Sequence, residues 1–367
     1  MMSFPRLRPA RKLVASILAA TGISVAGLSA APLLLKVNGI RLLTVDNTGP
    51  RLRGVNCAGL EWSSTGDGRM LQTVRGAVQQ WNSNIVRLPL SQDRWFGKGP
   101  EQKGDATSYR ALVRQIVDFC ASHNAYVILD LHWSDAGVWG TNIGAHNLPD
   151  KNSIEFWRDL APVFKDNPAV LYELYNEAAN VTWEQWLNGG RVTEIDPNTK
   201  ATVAYEAVGM RALLDAIRAT GARNLVVATV NNHGWDVSGI LDGHQLSDPR
   251  GNGVIYGVKC YPRAVPESGR ETIAQWTSRI ESFARRFPIF VSEFGSMEEV
   301  WPLPKEWGCN DEKWNREIIG VFESHGWSWT AWDFHLTAWP PLILDLKFTP
   351  TSDFGVWVKQ ALAENER

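Results

Sequence analysis

Residues 170–177 read Val170-Leu171-Tyr172-Glu173-Leu174-Tyr175-Asn176-Glu177. The run Val170–Tyr175 has the β-branched and aromatic content of a short strand. It ends on an amide and a carboxylate. Seven more runs of this kind flank it: Leu52–Asn56, Ile85–Leu90, Tyr126–His132, Leu225–Val230, Val254–Cys260, Ile289–Phe294 and Trp327–Trp332. Between them lie segments of helical periodicity, clearest at Leu71–Trp81, Tyr109–His123, Ile154–Phe164, Ala204–Ala219, Thr272–Phe287 and Trp314–Glu323. Phe354–Leu362 reads as a closing helix, and Trp235–Leu241 as a short one. Asn152-Ser153 supplies an N-cap region for the Ile154 helix, with Glu155 close behind.

Strands alternating with helices pair in parallel through right-handed crossovers. Eight such units in about 310 residues predict an α/β fold, a (β/α)8 TIM barrel, rather than an open doubly wound sheet. The sequence carries neither G-x-G-x-x-G nor G-x-x-x-x-G-K-[ST], the glycine loops an open nucleotide-binding sheet would use. Ahead of the first unit, Leu33–Val37 and Ile40–Val45 are joined by Asn38-Gly39, a strong hairpin signal. No linker, low-complexity tract or repeat interrupts residues 32–367, so they read as one domain.

Residues 1–31 differ. They hold Arg6, Arg8, Arg11 and Lys12 and no acid, followed by an apolar run from Leu13 to about Leu28. This is the pattern of a secretory signal peptide, with Ser24 and Ala26 spaced for cleavage after Ala26. Gly22 and Gly27 interrupt the run, which makes an uncleaved N-terminal anchor the second reading. Export to the periplasm or beyond is therefore expected. Loss of the four basic residues moves the chain's charge of -2 to about -6. That balance excludes a general nucleic-acid binder and suits a neutral substrate. Four cysteines, Cys57, Cys120, Cys260 and Cys309, show no metal-ligand spacing. Packed isolated thiols and paired ones both remain open on sequence alone.

A barrel of this kind builds its site at the C-terminal ends of its strands. Polar residues gather there: Arg87 on the second run, Asp130 and His132 on the third, and Asn176-Glu177 on the fourth. Lys259 and Tyr261 close the sixth, Ser292-Glu293 the seventh, and Trp332 ends the eighth. Charges at the ends of apolar strands are costly unless paired. Either Glu177 or Glu293 alone could be an ordinary salt-bridge partner. Together, on strands far apart around the ring, they form the carboxylate pair that cleavage of a glycosidic bond with retention requires. Neighbouring charges can hold one ionised and the other protonated. The histidines form no H-E-x-x-H, and no G-x-S-x-G is present, so neither a metal site nor an esterase elbow is expected.

In this order and spacing the motifs resemble glycoside hydrolase family 5, the cellulase family. They are Leu35-Lys36-Val37-Asn38-Gly39, Leu52-Arg53-Gly54-Val55-Asn56, Val86-Arg87-Leu88, Leu129-Asp130-Leu131-His132, Asn176-Glu177, Val291-Ser292-Glu293-Phe294-Gly295 and Trp329-Thr330-Ala331-Trp332. The resemblance implies that Glu177 is the general acid/base and Glu293 the nucleophile. It implies that Asn176 binds the 2-hydroxyl of the −1 sugar, that Arg87 and Tyr261 hold Glu293, that His132 lines the −1 subsite, and that Trp332 stacks under the sugar. Two positions depart from the family. Lys259 stands where the family usually has His, two residues before Tyr261, and Ala178 stands where it often has Pro. Lys259 has three readings: a tolerated variation, an altered specificity, or a damaged site. As a neighbouring cation it would depress the Glu177 pKa.

Tryptophan is abundant, 18 residues of 367. Trp62, Trp95, Trp133, Trp139, Trp183, Trp186, Trp235, Trp301, Trp307, Trp332 and Trp339 fall in predicted loops or strand ends on the catalytic face. Indole faces stack on sugar rings, so a row of subsites for an extended chain is expected. Trp133, Trp235 and His233 are expected to touch substrate, and Asp236 and His335 face the same way. The expected activity is endo-hydrolysis of a β-1,4-glucan by double displacement, with β-mannan as the alternative backbone. A non-catalytic carbohydrate-binding barrel is the rival from another class. No cofactor is expected, and a polysaccharide or oligosaccharide is the partner of a monomeric chain.

Overall fold

In a computed structural model, which describes residues 31–196, 199–262, 264–265, 269–296, 303 and 310–365, eight parallel strands close a barrel. Two strands precede it: β1 (Leu35–Asn38) and β2 (Arg41–Thr44) form the antiparallel hairpin, turning at Gly39 with φ +62°. The barrel runs β3 (Arg53–Asn56), β4 (Ile85–Ser91), β5 (Tyr126–Trp133), β6 (Val170–Glu173), then β9 (Val226–Thr229), β10 (Val254–Cys260), β13 (Ile289–Phe294) and β14 (Ser328–Ala331). Strands β14 and β3 pair in parallel to close the ring. β11 (Ala264–Val265) and β12 (Gly269–Arg270) make a small ribbon after β10. The leader reading falls on residues outside those described, as do Trp301, Trp307 and Cys309. No described helix is long and apolar enough to cross a membrane.

Side chains alternate across each strand. On β4, Val86, Leu88 and Leu90 face the helices in the large core, and Ile85 and Arg87 face the interior. Along the axis the interior has two storeys. The lower one is apolar: Leu52, Ile85, Ile128, Leu171, Val227, Ile255 and Phe290 pack together, and Leu35 of the hairpin plugs the base. The upper one holds Asn56, Arg87, Asp130, Glu173, Thr229 and Lys259, all buried. At Gly54 a Cβ would stand 1.7 Å from the Ile85 carbonyl oxygen, so β3 approaches β4 as only glycine allows.

Two local readings differ from the structure. The helix expected over Ala204–Ala219 begins only at Met210, because residues 202–208 are a strand, β8 (Thr202–Val208). It pairs with β7 (Gly189–Ile195) as an antiparallel hairpin in the connection after β6. Tyr205 and Ala207 are buried while Ala204 and Glu206 are exposed, a period of two that overrides the helical reading up to Gly209. The helix placed at Ile154 starts at Lys151 instead, capped by the Asp150 side chain in a capping box with Ser153.

Candidate active site

The upper storey is organised around Arg87, fully buried at the centre of β4. Its Nε and Nη2 grip Glu173 bidentately at 2.6 and 2.9 Å, and Thr229 donates to the same carboxylate at 2.6 Å. Nη2 also reaches Asn176 Oδ1 at 2.8 Å and Asp130 at 3.0 Å. Nη1 donates to Asn56 Oδ1 at 3.0 Å and to Glu293 Oε1 at 2.7 Å. A planar guanidinium directs its five donors in a fixed fork, so Glu173 and Asp130 below it aim Nη1 at Glu293 above. Asn56 is held in turn by the carbonyls of Ser292 and Ala331 at 3.0 and 3.1 Å.

Glu293 stands one residue before the end of β13 and is buried. Its Oε1 receives Arg87 and Lys259, each at 2.7 Å, and its Oε2 receives the Tyr261 hydroxyl at 2.8 Å. Burial pushes this carboxyl up, but the Lys259 and Arg87 charges outweigh it and hold the pKa below the ordinary value. Burial and the Glu293 charge push Tyr261 well up, which keeps its phenol a donor.

Glu177 stands opposite, with its side chain about a quarter exposed. Lys259 Nζ reaches its Oε1 at 2.8 Å and His233 Nδ1 its Oε2 at 3.1 Å. Burial again acts upward, and Lys259 and then His233 bring the net pKa well below the usual carboxylate range. Because one ammonium nitrogen touches both carboxylates, the two Oε1 atoms lie no more than about 5.5 Å apart. Retaining glycosidases hold their carboxyl groups about 5–5.5 Å apart, and inverting ones about 6.5–9.5 Å.

Lys259 also donates to Asn176 Oδ1, at 2.6 Å. Since that oxygen takes Lys259 and Arg87, the Asn176 amide faces His132 Nε2, at 3.2 Å. His132 Nδ1 meets Asp130 at 2.6 Å, so the network assigns the tautomer protonated at Nδ1. The His132 ring lies parallel to Trp332, with centroids 5.6 Å apart and 11° between planes. Trp332 Nε1 donates to the Trp339 carbonyl at 3.1 Å. Ala178, beside Glu177, is buried.

The tryptophans divide. Trp62, Trp133, Trp183 and Trp332 are half-buried, and Trp139 and Trp339 are exposed. Trp95, Trp186 and Trp235 are core residues, which corrects the expectation that all of these line the catalytic face. Trp186 donates to the Thr229 carbonyl and Trp95 to Asp159, so these indoles satisfy their N–H groups while filling the core. Trp235, expected to touch substrate, is only 5% exposed. Asp236 accepts from Trp183 Nε1 at 2.9 Å, and His335 pairs with Asp67 at 3.2 Å.

Sequence reasoning gave no site role to Asn56 or to two buried acids, Asp333 and Glu61. Burial raises both carboxyls well above the ordinary range. Asn56 ends the first barrel strand, and that position was a usable signal. Cys57, Cys120 and Cys260 are buried free thiols. Among the described residues no group of three or more His, Cys, Asp or Glu side chains could hold a metal ion.

A parallel barrel with two carboxylates at this spacing over a buried arginine defines the class: a glycosidase-type (β/α)8 barrel. Residues 43–336 match the family model of the cellulases, glycosyl hydrolase family 5, and the chain belongs to that family. It is 25% identical over 308 residues to endoglucanase MaCel5A of Microbulbifer sp. (strain ALW1), covering 82% of this chain and 51% of the relative. Endoglucanase A of Butyrivibrio fibrisolvens is 21% identical over 296 residues, covering 77% and 59%. The chain thus spans about half the length of the curated relatives it matches. In fold it is similar to the β-glucanase SdGluc5_26A of Saccharophagus degradans, solved in complex with cellotetraose. The TM-score is 0.68 at 21% identity, over 91% of this chain and 94% of that one. The catalytic domain of Thermobifida fusca endoglucanase Cel5A (E5) superposes with a TM-score of 0.58 at 17% identity, over 90% and 97%.

Proposed function

We propose that the protein is an endo-β-1,4-glucanase that hydrolyses its substrate with retention, with Glu293 as nucleophile and Glu177 as general acid/base. The observation that carries this reading is the approach of the two carboxylates to within about 5.5 Å across Lys259. Relatives named endoglucanase favour glucan as the backbone.

In the first step a Glu293 oxygen attacks C1 while the glycosidic oxygen leaves with a proton from Glu177. In the second, water attacks C1, its proton passes to Glu177, and the bond from C1 to Glu293 breaks. Arg87 and Tyr261 hold the Glu293 carboxylate for attack and receive its charge when it leaves. Asn176, locked by Arg87, Lys259 and His132, presents its amide beside the reacting sugar, and the Trp332 face supplies a platform for that ring. The acidic charge balance and the basic, apolar leader support export, with the neutral polysaccharide met outside the cytoplasm.

Reducing-sugar release from soluble β-glucan, mannan, xylan and xyloglucan tests the reading, with Glu293→Ala run alongside. Release from β-glucan by the wild type alone is the expected result. Release by Glu293→Ala at the wild-type rate would remove the nucleophile. Binding without release from any of the four would favour a carbohydrate-binding barrel.

A further inference from the structure

Lys259 occupies a prepared seat. Its side chain is fully buried, and its stem lies against Gly234, where a Cβ would come within 2.7 Å of Lys259 Cγ. Trp276 Nε1 fixes its carbonyl at 3.1 Å. The β10–β13 register shifts at this point: Val258 pairs with Val291, and Lys259 pairs with Glu293, leaving Ser292 as the extra residue. A bulge of this kind re-aims side chains, and here it sets Glu293 beside Lys259. The ammonium donates to Asn176 Oδ1 and Glu177 Oε1 and makes an ion pair with Glu293 Oε1 at 2.7 Å.

Resting on the retaining reading above, we infer that Lys259 is a positioning residue shared between the two glutamates, whose charge passes from Glu293 to Glu177 when the glycosyl-enzyme forms. In the free enzyme both carboxylates lean on one cation. Formation of the ester consumes the charge on Glu293 and leaves Glu177, its proton spent, as the carboxylate facing Lys259. The lysine thereby favours the ionised Glu177 that the second step needs as a base. It opposes the protonated Glu177 that the first step needs as an acid. Cleavage of the first bond waits on the proton, and removal of the sugar does not.

The groups facing Glu177 are Lys259 from β10, His233 from the turn after β9, Glu293 from β13 and Tyr261 just beyond β10. Lys259 and His233 favour its ionised form. A folded-state pKa held low means the acid form is lost early as pH rises. Activity that depends on that proton should fall on the same limb.

The experiment compares two substrates of the wild-type enzyme. One is the β-glucan, whose alkoxide leaving group needs a proton, and the other is a dinitrophenyl β-cellobioside, whose phenolate leaves without one. Expected is a basic limb of kcat/KM on the acid side of neutrality for the glucan and its absence there for the aryl glycoside. Lys259→Met should move the glucan limb upward by about one to three pH units. It should also slow deglycosylation, seen as a burst of dinitrophenolate. A shared basic limb for the two wild-type substrates would overturn the inference even if Lys259→Met fails to fold. So would a folded Lys259→Met with an unmoved limb. Loss of the catalytic reading itself would show differently, as Glu293→Ala matching wild type on both substrates.

Discussion

Tyr261 donates to Glu293 Oε2 at 2.8 Å, on the one carboxylate oxygen that neither Arg87 nor Lys259 touches. Two cations therefore hold one oxygen, and a neutral phenol holds the other. In the proposed mechanism the phenol matters most when Glu293 departs from the sugar and regains its charge. Tyr261→Phe should lower kcat about tenfold or more, the worth of a hydrogen bond to a charged group. Steady-state kinetics beside a thermal melt checks this: kcat falls while Tm stays close to wild type.

Glu177→Gln keeps the size of the side chain and removes its proton. Turnover of β-glucan should fall about 100- to 10,000-fold, the usual contribution of general acid–base catalysis. A dinitrophenyl β-cellobioside should still release a first equivalent of phenolate before stalling, because only the second step then lacks its base. Stopped-flow absorbance separates the two phases. Equal loss of both phases would mean that Glu177 is not the proton donor.

The carboxylate spacing predicts stereochemistry. Product formed early in the reaction should keep the β configuration, read by proton NMR of the anomeric signals before mutarotation. An initial α-anomer would require water to fit between Glu177 and Glu293, which the Lys259 bridge leaves no room for.

The barrel was legible because its strands announce themselves twice, by β-rich apolar runs and by the polar residues that end them. Ile85–Leu90 and Ile289–Phe294 fall on β4 and β13 almost to the residue. The contacts of Arg87 and Tyr261 with Glu293 are those that the family resemblance implied, at positions the strand ends bring to the site. Three features were hidden for physical reasons. Residues 204–208 carry a helix-compatible composition, and their strand state comes from pairing with Gly189–Ile195, a partner no local pattern reveals. Trp95, Trp186 and Trp235 stand in loop-like or short segments yet go to the core, where Thr229 and Asp159 satisfy two of the indoles. The double contact of Lys259 depends on a one-residue bulge at Ser292, and sequence spacing does not show a bulge.

Asp93 and Asp135 form a buried acid pair, Asp93 accepting from the Gly140 N–H and Asp135 from the N–H groups of Thr141 and Asn142 in the connection after β5. Burial and then the charge of Asp135 raise the Asp93 pKa to about 9. The folded state thus holds a proton that the unfolded chain releases near the ordinary carboxylate pKa. This contribution to stability is complete below that ordinary value and is lost as pH rises toward 9. Asp93→Asn removes the titration. Its Tm should fall less than that of the wild type between pH 6 and pH 9, by a few degrees in scanning calorimetry. An identical pH slope in both proteins would show that Asp93 does not carry the proton.

Gly234 turns the chain after β9 with φ +79°, a conformation that L side chains adopt at a cost. Its missing side chain also makes the space for Lys259, since a Cβ would meet Cγ at 2.7 Å and both Cβ and Cδ at 3.3 Å. Gly234→Ala therefore carries two penalties. The backbone strain should destabilise the protein by about 1 kcal/mol or more, lowering Tm by a few degrees. The crowding should displace the Lys259 ammonium from Glu177 and Glu293, freeing the Glu177 proton to bind at higher pH. The basic limb of kcat/KM on β-glucan should then move upward, in the direction expected of Lys259→Met but by less. Gly243→Ala is the control, because its φ of +107° strains an alanine while no atom lies within 4 Å of the added Cβ. It should lower Tm and leave the pH profile where it was. If both variants shifted the limb equally, general loosening rather than the seat of Lys259 would be the cause.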